Sequence, residues 1–331
     1  RRFPVMCTSV LFRNGNHSFF GRNLDLQYQL ANDVTVCPRN YVLPYHHLPD
    51  MPHHPAIVGM AITGYGYPLF FEGINEYGVG VASLNFPGYG QYAKQPVEGK
   101  TNVTSFELIP YLLSTCRSLE DAKRELENLN IVADAFNDRI QSVPLHWICC
   151  DQTGSIVVEM TAAGLHVYDN DLNVLANAPE YPTQAVNVAN YLNLTPEYPH
   201  NRIMPDVTVP VYSSGMGSDG LPGGLDSMSR FVRAAFMLNS SKAADTEEAT
   251  VNQFFRIMQT VEQIKGANRE KDGFDEITNY TAGADLETMD FYWTTYDNQQ
   301  INALHTRAQD LDSNTLLVYP VSHDQNIHWI G

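Results

Sequence analysis

The sequence predicts an α+β fold of layered antiparallel sheets covered by helices, and three observations carry that prediction. Short β-rich runs occur in clusters, amphipathic helical stretches separate the clusters, and runs within a cluster are joined by tight turns rather than βαβ crossovers. With 331 residues, 44% of them apolar, the chain can build a large core without metal or disulfide staples. It shows no internal repeat and no linker long enough to separate two bodies. Residues 7–331 are therefore read as one domain and residues 1–6 as an N-terminal extension.

The first strand cluster opens with Cys7 to Phe12, an extended apolar run. Arg13-Asn14-Gly15-Asn16 supplies an Asn-Gly turn and His17 to Leu26 returns, forming a hairpin. Ala56 to Thr63, Pro68 to Ile74 and Gly78 to Asn85 follow as short strands, the last two joined by the turn Asn75-Glu76-Tyr77-Gly78. A second cluster holds Leu145 to Cys150, Ser155 to Met160 and Leu165 to Tyr168. A third holds Phe291 to Tyr296, Gln300 to Leu304 and Leu316 to Tyr319. Helical spacing marks Ser105 to Thr115, where Phe106, Ile109, Leu112 and Leu113 share a face. Ser118 N-caps a second helix reaching Leu129, with Glu120 and Asp121 in its first turn. Ala185 to Leu194, Ser227 to Leu238 and Glu247 to Ile264 are the remaining helices.

A net charge of −17 excludes a nucleic-acid partner and an anionic membrane surface, both of which require basic patches. No run approaches the roughly 18 consecutive apolar residues of a membrane span. Five cysteines, Cys7, Cys37, Cys116, Cys149 and Cys150, form an odd set without a CxxC pair. That usage favours a reducing compartment, so the chain is read as cytoplasmic despite sequons at Asn16, Asn102, Asn193, Asn239 and Asn279. His46-His47 and His53-His54 lie among four prolines without metal-ligand spacing and read as a solvated loop. Cys149-Cys150, vicinal in a strand, should point to opposite faces and be buried.

Cys7 follows Met6, and if Met6 is removed the residue carries a thiol and a free α-amine together. An α-amine has a pKa of about 7.7 and a thiol about 8.5, so the amine can take the thiol proton near neutral pH. On position alone, a buried strand cysteine is the commoner reading. Across the hairpin stand Arg22 and Asp25, three apart with packing residues between them. An arginine beside the thiol would lower its pKa, and an aspartate beside the α-ammonium would anchor it. An ordinary surface pair at a strand end is the alternative.

Cys7-Thr8-Ser9 leading into Gly21-Arg22-Asn23-Leu24-Asp25 resembles the start of the choloylglycine hydrolase family, which includes bile salt hydrolases and penicillin V acylases. The likeness continues in family order through Pro38-Arg39-Asn40-Tyr41, Asn75-Glu76-Tyr77-Gly78, Leu84-Asn85-Phe86-Pro87-Gly88-Tyr89 and Leu145-His146-Trp147. It runs on through Leu175-Ala176-Asn177-Ala178-Pro179, Ser229-Arg230-Phe231-Val232-Arg233 and Thr295-Tyr296-Asp297-Asn298, covering essentially the whole chain.

The resemblance implies a four-layer αββα sandwich, the N-terminal-nucleophile hydrolase fold, and amide hydrolysis without metal or cofactor. It implies Cys7 as nucleophile, with its freed amine as proton shuttle. Arg22 and Asp25 match the pair that tunes the thiol and anchors the amine. Asn177 and the backbone N–H of Asn85 match an oxyanion hole, and Arg230 matches a charged residue bordering the site. Asn85 points to conjugated bile salts, since penicillin V acylases of the family often carry Tyr there. A penicillin V acylase, or an acylase of other N-acyl amides, is the alternative. A catalytically silent binder of amphipathic ligands is the alternative of another class, against which the intact residue set speaks. A homotetramer also follows from the resemblance.

The loops Gly64-Tyr65-Gly66-Tyr67-Pro68 and Phe136 with Ile140 are read either as an apolar slot or as core. Ala176, Gly224 and Leu26 depart from commoner family residues. Residues 1–6 are read as a leader or tag remnant whose presence makes the chain an inactive precursor, because the Cys7 nitrogen is then an amide.

Overall fold

The computed structural model describes residues 6–271 and 273–331. The opening hairpin is β1 (Met6–Asn14) and β2 (His17–Leu26), antiparallel with Cys7 opposite Leu24 and Ser9 opposite Arg22. Gly15 turns it at φ +59°, the left-handed conformation a two-residue reversal needs. There follow β3 (Asp33–Cys37), β4 (Ile57–Ile62), β5 (Leu69–Asn75), β6 (Gly80–Asn85) and β7 (Thr101–Thr104). Two helices, α1 (Leu108–Thr115) and α2 (Leu119–Glu127), lead to β8 (Leu129–Val132), β9 (Leu145–Asp151), β10 (Gly154–Thr161), β11 (Gly164–Asp169) and β12 (Val174–Leu175). The chain continues through α3 (Tyr181–Asn187), α4 (Ser227–Ser240), α5 (Glu247–Gln259), β13 (Ile277–Asp285), β14 (Phe291–Thr295), β15 (Asn302–Leu304) and β16 (Leu317–Tyr319).

Six strands form one sheet in the order β12-β1-β2-β13-β14-β15, and eight form a second in the order β11-β10-β9-β6-β5-β4-β3-β16. Helices α4 and α5 cover the first sheet on β1, β2 and β13; α1 and α2 cover the second on β4 to β6, β9 and β10. The predicted α+β fold, a four-layer αββα sandwich of antiparallel sheets, is what the chain forms. Cys149 and Cys150 do point to opposite faces: Cys149 joins the core under α1 and α2, Cys150 the core between the sheets.

Strand alternation then sets the site. On the hairpin, Cys7, Arg22 and Leu24 share the face toward the second sheet, where Phe20 also packs against Gly80. Thr8, Asn23 and Asp25 share the face toward α4 and α5, where Asn23 donates to the Met258 carbonyl.

Several elements differ from the sequence reading. The last long helix stops at Gln259 rather than Ile264, because Gln263 leaves the helix to exchange hydrogen bonds with Thr278. The helix expected at Ala185 begins at Tyr181, where Pro182 favours a first turn, and decays into a 3₁₀ turn over Val188–Tyr191. Five strands, β3, β7, β8, β12 and β13, went unread. The most consequential is β13, which lies between β2 and β14. Its Thr278, Tyr280 and Thr281 bond to Asp25, Glu72 and Asn23, so its polar residues are buried partners rather than a solvent face. The histidine loop is also more anchored than a solvated loop: buried His54 lies 2.9 Å from the Tyr41 carbonyl, and His46 and His47 rest on Glu107 and Asp134.

Gly21 pairs with Gly283, and the Phe254 ring of α5 lies over both. A Cβ on Gly21 would stand 2.2 Å from the Ala282 carbonyl oxygen and 2.6 Å from the Phe254 ring. Gly21→Ala is therefore expected to cost at least about 2–3 kcal/mol, as overpacking of a tight core does. A urea titration followed by circular dichroism measures it, and an unchanged midpoint would mean the sheet and α5 separate freely.

Candidate active site

Cys7 is 1% exposed, and its surroundings are built from both faces of β1. On the inter-sheet face, Arg22 Nη2 donates to Cys7 Sγ. Arg22 Nη1 donates to the Ser83 carbonyl at 2.5 Å and the Phe71 carbonyl at 3.0 Å, which fixes the guanidinium between β5 and β6. Glu72 Oε2 lies 3.8 Å from Arg22 Nε and accepts from the Tyr280 hydroxyl at 2.7 Å. A buried cation therefore has a buried anion beside it, as burial of charge requires.

The backbone of Cys7 is held from the other sides. Its N–H donates to Asn177 Oδ1 at 2.7 Å, and Asn177 Nδ2 donates to the Asn85 carbonyl at 2.8 Å. Arg230, from α4, donates through Nη1 to the Cys7 carbonyl at 2.6 Å and Thr8 Oγ1 at 2.5 Å, and through Nη2 to Asn177 Oδ1 at 2.8 Å. Asp25 Oδ1 accepts from Thr278 at 2.7 Å, and Oδ2 lies 3.9 Å from Arg230 Nη1. One residue earlier, the Met6 N–H donates to Glu276 Oε1 at 2.8 Å.

All six residues singled out from the sequence thus meet around Cys7, with Asn85 joined through Asn177. Arg230 borders Cys7 from a wholly buried position, against the Cys7 carbonyl and Asn177. Of the two readings left open for Arg22 and Asp25, the buried one is found and the surface pair is not. Sequence reasoning missed Thr8, Glu72, Glu276, Thr278, Tyr280 and Gln184, the last donating to the Asn177 carbonyl. Residues 276–281 offered no alternation to read, because a register shift between Thr278 and Tyr280 turns Thr278 and Thr281 to the helical face and Tyr280 to the inter-sheet face.

Burial pushes the Cys7 thiol above its ordinary value; Arg22 pulls it down, Asp25 pushes it up and Arg230 pulls it down, and burial wins. Arg22 pulls the thiol down, as the sequence reading expected, but burial outweighs that pull. Burial likewise raises Asp25 to about 6 against the pull of Arg230, Thr278 and Arg22. It raises Glu72 to about 7 against Arg22 and Tyr280. Glu276 and Glu262 also stand at about 7, through burial and the nearby Asp25 charge.

The loops carrying Tyr65, Tyr67 and Phe136 meet. Phe136 packs 5.8 Å from Tyr65, 5.6 Å from Tyr67 and 5.1 Å from Phe106, between centroids. Tyr67 is buried and Tyr65 is half open, so the group combines core and surface. The Tyr65–Tyr67 loop leads into β5, whose Phe71 carbonyl accepts from Arg22.

Four raised carboxylates have a consequence for stability. Unfolded, they release protons near 3.8 to 4.5; folded, near 6 to 7. Between about pH 4 and 7 the native state holds more protons than the unfolded one, so these groups lose stability as pH rises through that window. The urea midpoint is expected to be higher at pH 5 than at pH 7.5, and Glu72→Gln with Glu276→Gln to flatten the difference.

Comparison with known proteins places this geometry. The family model for linear amide C–N hydrolases of the choloylglycine hydrolase family matches residues 7–319. A bile salt hydrolase/transferase of Lactiplantibacillus plantarum is 40% identical over 326 residues, covering 98% of this chain and 100% of the relative. The crystal structure of a conjugated bile acid hydrolase from Clostridium perfringens superposes with a TM-score of 0.91 at 32% identity, covering 98% of this chain and all of that one. A penicillin V acylase from Agrobacterium tumefaciens shares the fold, with a TM-score of 0.74 at 18% identity over 94% of this chain and 90% of that one.

Proposed function

Because the chain belongs to the choloylglycine hydrolase family of linear amide C–N hydrolases, we propose that it hydrolyses the amide bond of glycine- or taurine-conjugated bile acids through the Cys7 thiol. The observation that carries the mechanism is the closed set of contacts around Cys7: Arg22 on the sulfur, Asn177 on the nitrogen, Arg230 on the carbonyl and Asn177. With Met6 attached, the Cys7 nitrogen is an amide that only donates. Residues 1–5 lie outside the described residues; we read 1–6 as an extension whose removal creates the active form.

In that form the α-amine takes the thiol proton, and the thiolate, steadied by Arg22, attacks the substrate carbonyl. Asn177 Nδ2 and the Asn85 N–H receive the oxyanion. The C–N bond breaks, the leaving glycine or taurine nitrogen takes the proton back from the ammonium, and an acyl-thioester remains. Water, activated by the same amine, hydrolyses the thioester and frees the thiol. Asp25 and Asn177 Oδ1 hold the ammonium in between. Bile-acid conjugates are favoured by the relatives' named substrates and by Asn85.

We further place the enzyme in the cytoplasm as a homotetramer. The five cysteines are unpaired and buried, and the sequons at Asn102 and Asn279 are buried too. No helix among the described residues is long and apolar enough to cross a membrane. Gel filtration at the mass of a 37.1 kDa monomer would remove the tetramer.

Protein made to begin at Cys7 is expected to release glycine or taurine from glycocholate and taurocholate faster than it opens phenoxymethylpenicillin. The reverse ranking would make it a penicillin V acylase; no turnover of any of them would point to other N-acyl amides and, if those also fail, to a binding protein. Cys7→Ser should abolish turnover. Asn177→Ala should lower kcat by roughly 10²–10³-fold with the fold intact, as loss of one oxyanion donor does. Unchanged kinetics in that variant would remove Asn177 from the oxyanion hole.

A further inference from the structure

We propose that Glu276 is a positioning residue of this site: once Cys7 leads the chain, its carboxylate, together with Asp25, holds the positive charge of the freed α-amine and sets how basic that amine is. The inference rests on the proposed function, in which Met6 is absent.

Glu276 stands one residue before β13 with no exposed surface. Its Oε1 accepts the Met6 N–H at 2.8 Å and its Oε2 accepts from Asn268 Nδ2 at 3.0 Å. Successive N–H groups of an extended strand point to opposite sides. Accordingly the Cys7 N–H reaches Asn177 while the Met6 N–H reaches Glu276, and the two acceptors bracket the front of Cys7. The Met6 and Cys7 nitrogens are separated by only three covalent bonds. Removal of Met6 therefore does two things at once. It strips Oε1 of its donor, leaving a buried carboxylate short of a hydrogen bond. It also creates an ammonium next to the vacated space.

Charge balance points the same way. The groups facing this position are Arg22 and Asp25 on β2, Arg230 on α4, Glu262 after α5, and Glu276, with Glu270 acting on Glu276 from beyond. Two guanidiniums disfavour a third positive charge. Asp25 already compensates Arg230, but its Oδ2 is buried and receives no hydrogen bond among the described residues. Oδ2 of Asp25 and Oε1 of Glu276 are thus two buried acceptors with capacity for the ammonium, one of them created by the removal of Met6. A direct contact or one bridging water closes the remaining distance.

The test uses full-length protein beginning at Cys7, wild type against Glu276→Gln, which keeps an acceptor oxygen and loses the charge. The rate of Cys7 alkylation by iodoacetamide, located by mass, is measured against pH beside the kcat/KM profile. Loss of the carboxylate makes both the amine and the thiol more acidic, so both acid limbs are expected to move down by about one pH unit. Glu276→Asp, which keeps the charge but draws it back, is expected to give an intermediate profile. Superimposable profiles, or a uniform loss of rate at every pH without displacement, would overturn the proposal and leave Glu276 a structural acceptor. If Glu276→Gln does not fold, an Asp profile identical to wild type overturns it. Alkylation needs no substrate, so an enzyme that cleaves none of the amides fails the proposed function while still testing Glu276.

Discussion

Two buried guanidiniums govern this structure. Arg22 and Arg230 are among its largest fully buried side chains, and a buried charge is tolerated only when its hydrogen bonds and countercharge are nearly complete. Arg22 spends its donors on the Ser83 and Phe71 carbonyls and the Cys7 sulfur; Arg230 spends its own on Cys7, Thr8, Leu225 and Asn177. Removing one partner of such a pair typically costs about 3–5 kcal/mol. The backbone at Cys7 is thereby pinned by the same contacts that make the arginines tolerable.

The layering explains how two cations of like sign reach one cysteine without meeting. Alternation along β1 gives Cys7 to the inter-sheet layer and Thr8 to the helical layer. Arg22 approaches within the first layer, neutralised by Glu72 from the opposite sheet. Arg230 approaches from α4 in the second, neutralised by Asp25. The countercharges are themselves held by β13, through Tyr280 on Glu72 and Thr278 on Asp25. A strand with little apolar signal is therefore the support of both ion pairs, and its polar residues are costly to replace for that reason.

The carboxylates carry the electrostatic strain. Asp25, Glu72, Glu262 and Glu276 are all raised by burial, and each is restrained by a guanidinium or a hydroxyl or amide donor nearby. Such clustering of displaced titrations is typical of sites that move protons. Here it surrounds the Cys7 nitrogen, an amide in this chain; in the processed form we propose it is an amine, and the ionic balance then differs by one positive charge.

The strand runs, the Asn-Gly hairpin, the Ser118 cap and the opposed Cys149 and Cys150 were all legible in the sequence, because each depends on local periodicity or turn chemistry. The family resemblance, rather than periodicity, singled out Cys7, Arg22, Asp25, Asn85, Asn177 and Arg230, which the fold gathers around Cys7. What only the tertiary structure decided is where those charges reside and what answers them. Periodicity cannot mark β13, whose polar side chains are inside because partners 208 to 258 residues away in sequence await them. Nor can it reveal that burial outweighs Arg22 at the thiol, that Arg230 is buried against the Cys7 carbonyl, or that Glu276 reaches the residue before Cys7. Desolvation and long-range pairing are properties of the packed layers, and no stretch of chain carries them alone.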